Sequence, residues 1–162
     1  MSDKPVDPTR CVTEALDLHQ VSYELRTFSQ ITHTAEDAAT AIGCTAHQIV
    51  KSLLFKTKKT DKAVLVLTSG PNRVDEEKIS AHLGQKTKKA DAAFVKEATG
   101  FSIGGVSPVG HTRALPFILF HEDLLLHDLV WAAAGTHNTV FCIRPQDLVH
   151  ITDAQVLEVK EG

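Results

Sequence analysis

The stretch IVKSLLFKTKKTDKAVLVLT, residues 49–68, indicates how this chain folds, because it holds two β-forming runs joined by a polar turn. The runs 49–56 and 63–68 are rich in branched apolar residues and have the length of single strands. The lysine-rich segment 56–62 between them is short enough to connect adjacent antiparallel strands. The stretch therefore predicts a β-hairpin.

Short helices and further strands are predicted on both sides of this hairpin. Capping residues predict helices that begin at Thr9, Thr34, Asp75 and Asp91, a shorter one at Thr45, and a final turn or helix at Pro145. Further strands are expected over residues 21–28, 101–103, 117–120, 129–133 and 140–143. Strands and helices without regular alternation predict a mixed α/β (α+β) domain with a mixed, largely antiparallel sheet of about seven strands. That strand count approaches what a closed sheet needs.

The composition predicts one ordinary folded domain over residues 1–162, with residues 1–8 flexible. Of the 162 residues, 43% are hydrophobic and 23% are charged, which excludes a disordered tail, a collagen-like chain and a coiled-coil rod. The three cysteines are far apart and form no C-x-x-C motif, which argues against a disulfide framework or a zinc site. No secretion signal is visible, and no apolar run approaches the roughly 20 residues that span a bilayer. We therefore expect a soluble, cytoplasmic protein.

Charge is distributed unevenly along the chain, although the formal total is only −3. Residues 51–96 contain eleven basic and five acidic residues, whereas the rest of the chain contains six basic and fifteen acidic ones. Such a distribution can present one basic face to a polyanion while the remaining surface stays acidic. The lysines of residues 56–62 are also compatible with an ordinary solvated loop, so both interpretations stay open at this point.

Lys51 is the most informative single residue. Side chains alternate along a strand, so Lys51 shares one face with Ile49, Leu53 and Phe55 and lies among apolar neighbours. An ammonium is costly to remove from water. Such a lysine therefore either reaches along the strand to solvent or faces a pocket that holds an anion or a polar ligand. The sequence alone leaves both possibilities open.

A second feature is the glycine-rich segment GFSIGGVSPVGH, residues 100–111. It holds four of the nine glycines, and glycine permits positive φ angles and a close approach of the backbone to a ligand. Pro108 fixes its own φ and restricts Ser107, so the loop can aim consecutive N–H groups in one direction, as an oxyanion or phosphate site requires. The segment matches neither the P-loop nor the dinucleotide-binding pattern, and a purely structural turn is an equal alternative.

The segment AAAGTHN, residues 132–138, is a third and weaker feature. Residues 135–138 link two apolar strands, which fits a plain hairpin, although His137 and Asn138 could instead reach the rim of a pocket. The nine histidines include no H-E-x-x-H motif, and neither a G-x-S-x-G elbow nor a conspicuous carboxylate pair is present. An enzyme built from these residues would therefore work by positioning and backbone electrostatics, without a metal or another cofactor.

Taken in order, these features resemble the YbaK/ProX family of trans-editing aminoacyl-tRNA deacylases, which are relatives of the editing domain in bacterial prolyl-tRNA synthetase. The resemblance covers about residues 10–155 and is carried by QIVKSLLF (48–55), TGFSIGGVSPVG (99–110), LP (115–116), AAGTHN (133–138) and DL (147–148). It implies a barrel-like mixed sheet with flanking helices, and an activity that hydrolyses the ester bond of mischarged aminoacyl-tRNA in support of translational fidelity.

The resemblance also implies roles for residues. Lys51 matches the family's near-universal lysine, and residues 104–108 match its G-x-x-x-P loop, so the residues implied for catalysis are Lys51, Gly104, Gly105, Val106, Ser107 and Pro108. The candidate walls of the amino-acid pocket are Phe28, Thr34, Ile49, Ser52, His137 and Asn138. The acceptor stem of the tRNA would contact Lys56, Lys58, Lys59, Lys62, Lys86, Lys88 and Lys89. In this picture Lys51 anchors a phosphate or orients the substrate, and the 2′-hydroxyl of the terminal ribose positions the water or acts as the base.

The implied substrate carries a small amino acid such as Ala, Cys, Ser or Thr, on tRNA(Pro) or a related tRNA. Ala is the first choice, because GTHN (135–138) differs from the Ser-Gly-Gly-Lys-like stretch of the cysteine-specific type. The expected partners are the acceptor end of the tRNA and prolyl-tRNA synthetase or another synthetase; neither a membrane nor DNA is expected. A non-catalytic module that binds tRNA or a synthetase through the same pocket is the main alternative, and a metal-binding protein that uses the histidines is a weaker one.

Overall fold

The predicted hairpin lies at the centre of a mixed sheet. In the computed structural model, which describes residues 7–29 and 34–161, β2 (Ile49–Thr57) pairs antiparallel with β3 (Ala63–Ser69), and Lys51 lies opposite Thr68. Every residue of β3 is buried, so this strand is covered on both faces, in keeping with its continuous apolar sequence. Thr57 closes the turn, because its hydroxyl oxygen accepts a hydrogen bond from the Lys62 N–H at 2.9 Å.

Six further strands extend the sheet on both sides of the hairpin. They are β1 (Glu24–Thr27), β4 (Thr87–Lys89), β5 (Phe117–His121), β6 (Val130–Thr136), β7 (Thr139–Ile143) and β8 (Gln155–Leu157). The strand order is β1-β7-β6-β2-β3-β5-β8, with β4 beside β2, and four pairings are antiparallel and three parallel. The predicted mixed α/β class is therefore confirmed. The sheet is open, however, because β1 and β8 are its unjoined ends within the described residues, so the expected barrel-like closure does not occur.

Five α-helices flank the sheet in the described part of the chain: α1 (Pro8–Leu18), α2 (Ala35–Ile42), α3 (Glu76–Leu83), α4 (Ala92–Thr99) and α5 (Pro145–Thr152). Thr34, Asp75 and Asp91 cap α2, α3 and α4 as predicted, each through a side-chain oxygen that accepts from an N–H of the first turn. None of the helices over residues 7–29 and 34–161 is long and apolar enough to cross a membrane.

The sequence-based assignment of α1 was wrong in one detail. Asp7 caps this helix, whereas the Thr9 hydroxyl donates a hydrogen bond to the Ala134 carbonyl oxygen at 2.8 Å. Pro8, which falls in the stretch predicted to be flexible, is the first residue of the helix, because proline's fixed φ suits that position. The rest of that predicted flexible stretch, apart from Asp7, lies outside the described residues.

Four strand assignments also differ from the structure. The predicted strand 101–103 is a bend that leads into a turn, because the Gly105 N–H bonds back to the Ser102 carbonyl oxygen. β1 is shorter than predicted, and all four of its residues are exposed. β4 and β8 have only three residues each and were not predicted, since so short a strand carries no periodic pattern.

Side-chain packing on β2 decides where a site can form. Val50 and Leu54, on one face of this strand, belong to the largest apolar cluster of the chain. On the other face, Ile49 and Phe55 belong to two separate apolar clusters, and Lys51 lies between them on the strand. The apolar packing of this face is therefore interrupted at the lysine.

Candidate functional site

A cavity of about 910 Å³ opens beside the middle of β2. Its lining includes residues from both faces of this strand, namely Lys51 and Leu53 from one face and Ser52 and Leu54 from the other. Further walls come from the start of α2, the loop after β3, the glycine-rich loop and β6, and include Glu36, Arg73, Gly104, Trp131 and His137. The three features singled out in the sequence therefore meet at one cavity.

The Lys51 ammonium is half-buried at this cavity and donates a hydrogen bond from Nζ to the Asn72 carbonyl oxygen at 2.6 Å. Burial lowers the pKa of this ammonium below the usual lysine value. The Glu36 carboxylate acts against that shift, while Arg73 and Lys89 add to it. An ammonium has three donors, so Lys51 can hold its main-chain partner and still bind an anionic or polar ligand.

A network behind Lys51 holds its partner in place. The Asn72 side chain donates from Nδ2 to Asp123 Oδ2 at 3.3 Å, and the Lys160 ammonium donates to the same oxygen at 2.9 Å. His121 Nε2 lies 3.1 Å from that oxygen but lacks the alignment of a hydrogen bond. Lys160, as the main cause, lowers the pKa of the Asp123 carboxyl to about 2. The residue whose carbonyl oxygen binds Lys51 is therefore tethered by a charged network.

The glycine-rich loop presents only part of its backbone to the cavity. Gly104 and Val106 line the cavity, but the Gly105 N–H donates a hydrogen bond to the Ser102 carbonyl oxygen at 2.9 Å. Pro108 has no N–H to offer. The predicted run of consecutive donors over residues 104–108 is therefore wrong, and the N–H groups of Gly104 and Val106 remain as the candidates.

Ser107 stabilises the loop from inside. It is fully buried, its hydroxyl oxygen accepts a hydrogen bond from the Val109 N–H at 3.2 Å, and its carbonyl oxygen accepts one from His111 Nε2 at 2.8 Å. Burial lowers the pKa of the His111 imidazole, while its bond to Ser107 opposes that shift. Ser107 and its buried neighbour Pro108 do not line the cavity, so they shape the loop rather than contact a ligand.

The glycine-rich loop is packed tightly against residues 135–137. A Cβ atom on Gly104 would lie 2.5 Å from Cε1 of the His137 ring, and one on Gly105 would lie 3.0 Å from the Gly135 carbonyl oxygen. Gly104 also has a φ of +92°, which disfavours any other residue. Residues 135–137 thus form a wall against which the glycine-rich loop packs.

The structure separates the predicted wall residues into two sets. Ile49, Ser52, Thr34 and His137 line the cavity. Phe28 and Asn138 do not: Phe28 donates its N–H to the Asn138 carbonyl oxygen at 2.7 Å, and Asn138 Nδ2 donates back to the Phe28 carbonyl oxygen at 3.2 Å. The prediction that these two residues form walls was wrong, because their polar groups join the chain after β1 to the β6–β7 turn.

Several lining residues were missed by the sequence analysis. Glu36 and Arg73 come from a helix start and a loop that only the tertiary fold brings to the cavity. Trp131 lies opposite Ile49 in the parallel pairing of β2 with β6, and the Arg26 guanidinium lies 4.8 Å from its ring centroid. Only Trp131 carried a signal, because a lone tryptophan in a predicted strand is a large side chain that favours a cavity wall or an interface.

The two lysine-rich segments predicted to contact tRNA lie side by side. β4 pairs with the end of β2, and the Lys58 N–H donates to the Lys86 carbonyl oxygen at 2.9 Å. Six of these lysines have exposed side chains and together form the lysine surface: Lys58, Lys59, Lys62, Lys86, Lys88 and Lys89. Lys89 also lines the cavity. Lys56 differs: it is 19% exposed, and its ammonium lies 3.7 Å from Asp61 and 4.9 Å from the Phe94 ring centroid.

The fold and the cavity together define a small mixed α/β domain whose cavity is lined by cationic, anionic and apolar side chains. The aminoacyl-tRNA editing domain family matches residues 30–151. Because that match covers most of the chain, the chain belongs to this family, and the resemblance predicted from the sequence is confirmed.

Named relatives and a solved structure agree with this membership. The chain is 30% identical over 129 residues to the uncharacterized protein YwhH of Bacillus subtilis (strain 168), covering 80% of this chain and 81% of that protein. It is 25% identical over 164 residues, 98% of each, to EbsC of Enterococcus faecalis (strain ATCC 700802 / V583), a candidate Cys-tRNA(Pro)/Cys-tRNA(Cys) deacylase. The crystal structure of a candidate trans-editing enzyme for prolyl tRNA synthetase is 40% identical, with a TM-score of 0.88, over 98% of this chain and 100% of that one.

Proposed function

We propose that this protein hydrolyses the ester bond of mischarged aminoacyl-tRNA. The observation that carries the proposal is that the Lys51 ammonium and the backbone of the glycine-rich loop line one cavity in a member of the editing family. The cavity is lined by both polar and apolar groups, as a site for an amino acid attached to a ribose requires.

The reaction needs no strong acid or base from the protein, because an aminoacyl ester is already activated. Water adds to the ester carbonyl carbon, the bond from that carbon to the ribose oxygen breaks, and the ribose oxygen takes a proton, which gives a free amino acid and deacylated tRNA. The N–H groups of Gly104 and Val106 would bind the oxygen that becomes negative. Loss of one such donor costs about 2.7–4 kcal/mol in other enzymes. The neighbouring 2′-hydroxyl would position the water.

Lys51 would contact the substrate rather than attack it. Its ammonium already holds the Asn72 carbonyl oxygen, and its remaining donors can bind a phosphate or a ribose oxygen. Charge-assisted bonds of this kind are stronger than neutral ones, especially in a half-buried site. Lys51 would therefore orient the terminal nucleotide and its ester.

The substrate we propose carries a small amino acid. A synthetase rejects an amino acid that is one methylene too small by only about 1–3 kcal/mol, so a second pocket has to remove the errors. Ile49, Thr34 and His137 would contact the side chain of that amino acid. Alanine on tRNA(Pro) is the first candidate, with cysteine, serine and threonine as further ones; the name of EbsC refers to cysteinyl-tRNA.

The lysine surface would bind the acceptor stem. It reaches the cavity through Lys89, so a phosphate backbone lying on the exposed lysines would lead the 3′ end to Lys51. Phosphate contacts of this kind release counterions and make binding fall with added salt. A synthetase, prolyl-tRNA synthetase in the first instance, would supply mischarged tRNA.

The test is a deacylation assay with Ala-, Cys-, Ser-, Thr- and Pro-tRNA. Wild type is expected to hydrolyse at least one ester of a small amino acid and to spare Pro-tRNA(Pro). The variant Lys51→Met keeps the side-chain length and loses the charge, so it should lose this activity. Arg113→Met removes a charge at an exposed position outside the cavity lining, so it is the matched control and should behave as wild type.

The main alternative is a module that binds tRNA without hydrolysing it. That function would give binding of uncharged tRNA and no release of any amino acid from the five charged tRNAs. Such a result would contradict the proposed hydrolysis while leaving the cavity and the lysine surface as a recognition site.

A further inference from the structure

The sheet is interrupted beside the middle of β2. On this side of the strand, the pairing with β6 ends at Val50 opposite Ala132, and the pairing with β4 begins at Phe55 opposite Lys89. Residues 51–54 therefore have β3 on one side and, within residues 7–29 and 34–161, no neighbouring strand on the other. Such an open edge leaves backbone N–H and C=O groups without a ladder partner.

The alternation of an antiparallel pair identifies which backbone groups face this break. The Gly70 N–H donates to the Ile49 carbonyl oxygen and the Thr57 N–H to the Lys62 carbonyl oxygen. The backbone N–H and C=O groups of the odd-numbered residues of β2 therefore point toward β3. Even-numbered residues point the other way. The Leu54 carbonyl oxygen accepts from the Ala90 N–H at 3.1 Å. The N–H and C=O of Ser52 and the N–H of Leu54 are thus left facing the break.

The cavity borders this break. It touches Lys51 and Leu53, whose side chains lie on one face of β2, and also Ser52 and Leu54, whose side chains lie on the other, so it reaches the open edge of the strand. Ser52 is partly exposed, yet its Oγ is inaccessible and has no hydrogen-bond partner. The exposed atoms of Ser52 are therefore in its backbone or its Cβ.

The backbone groups at the break place a hydrogen-bond donor next to an acceptor, and this arrangement limits which ligands fit. An N–H donor and a C=O acceptor lie side by side, so a phosphate would meet the carbonyl oxygen unfavourably and an ammonium would leave the N–H unpaired. A flat ring with an amino group next to a ring nitrogen satisfies both. Apolar side chains line the cavity on either side of this edge, including Leu53 on one face and Val106 on the other, and they suit the faces of such a ring.

We propose that the break in the sheet binds the adenine of the 3′-terminal nucleotide, with the exocyclic amine donating to the Ser52 C=O and a ring nitrogen accepting from the Ser52 N–H or the Leu54 N–H. This assignment rests on the proposed function, because it makes the terminal adenosine of tRNA the ligand. Lys51 precedes Ser52 on the strand, so a base held here keeps its ribose and ester near the ammonium.

The test uses the wild-type protein and amide NMR, so no variant has to fold. Adenosine and inosine are titrated separately; inosine replaces the amine by an oxygen and the ring acceptor by an N–H. Adenosine should shift the Ser52 and Leu54 amide signals. The Kd for inosine should be higher than that for adenosine by about ten-fold or more, in line with the discrimination of one paired base edge. Equal binding of the two nucleosides, or shifts confined to residues 58–62 and 86–89, would overturn the proposal.

A second measurement separates this proposal from the proposed function. Alanylated RNA minihelices ending in adenosine or inosine are compared in the deacylation assay, and the inosine end should lower kcat/KM by about ten-fold. Equal rates for the two ends would contradict adenine recognition while supporting hydrolysis. If neither is hydrolysed but adenosine still shifts Ser52 and Leu54, adenine recognition stands and the proposed hydrolysis fails.

Discussion

One hairpin carries lysines in two contrasting environments. Lys51, in the middle of β2, is half-buried, donates to a main-chain oxygen and has a pKa below the usual lysine value. Lys58 and Lys59, in the turn of the same hairpin, are exposed. Exposed charges attract a polyanion over a distance that salt shortens, whereas a half-buried charge acts by contact and is screened much less. Position on the strand, rather than residue type, therefore assigns these lysines to different tasks.

The largest expected effect separates the two environments directly. Lys51→Met should lower kcat/KM for deacylation by about 100-fold or more, the size typical of losing a charged contact in the transition state. Lys58→Met should stay within about three-fold, because neighbouring lysines of an exposed surface replace one another. Steady-state kinetics on both variants provides the comparison. Equal losses would mean that the two environments do not differ in function.

The backbone side of the cavity is tested by Gly104→Ala. The new Cβ would collide with the His137 ring and would strain a φ of +92°, so the loop must move, and activity should fall about ten-fold or more. Gly43→Ala is the matched control, because Gly43 has a φ of +88° with nothing near its added Cβ. Gly43→Ala should lose about 1 kcal/mol of unfolding free energy and Gly104→Ala more, because of the added collision, but only Gly104→Ala should lose activity. Comparable activity in the two variants would remove the loop from the site.

The exposed lysines should affect tRNA binding and its dependence on salt. Lys59→Glu is expected to raise the Kd for tRNA and to reduce the slope of log K against log salt by about one. Arg113→Glu makes the same change of charge at an exposed position outside the lysine surface, so it serves as the control. A salt slope that Lys59→Glu leaves unchanged would make residues 56–62 an ordinary solvated loop.

The smallest expected effect concerns the network behind Lys51. The Asp123 pKa is lowered in the folded protein, so its carboxylate stabilises the fold above the unfolded pKa of about 4, and this contribution is lost as the pH falls toward 2. Asp123→Asn should therefore lower the urea midpoint at pH 7 and make unfolding less dependent on pH between 4 and 2. Unfolding curves with the same pH dependence as wild type would show that the network has no such role.

Much of the fold could be predicted because it depends on local chemistry. The β2–β3 hairpin follows from two apolar runs around a polar turn, and Thr34, Asp75 and Asp91 cap helices through their own first turns. The strand period also placed Lys51 on the same face as Ile49 before any tertiary contact was known. Such rules operate within a few residues, so one sequence is enough to apply them.

The parts that escaped prediction depend on distant pairings. The Gly105 N–H is used by a turn to Ser102, and the Asn72 carbonyl oxygen reaches Lys51 from 21 residues away. The break beside β2 exists because β6 and β4 pair with different ends of that strand. Neither spacing nor periodicity carries this information, since each depends on which strands meet in the folded chain.

The central claim is that Lys51 and the backbone of residues 104–106 act on one bound aminoacyl ester. The most direct measurement is NMR of the wild-type protein with 3′-alanylamido-adenosine, in which a stable amide replaces the ester. The Lys51 side-chain signal and the Gly104 and Val106 amide signals should all shift, with a common saturation curve. Shifts at the lysine without shifts in the loop, or at neither, would contradict a shared site.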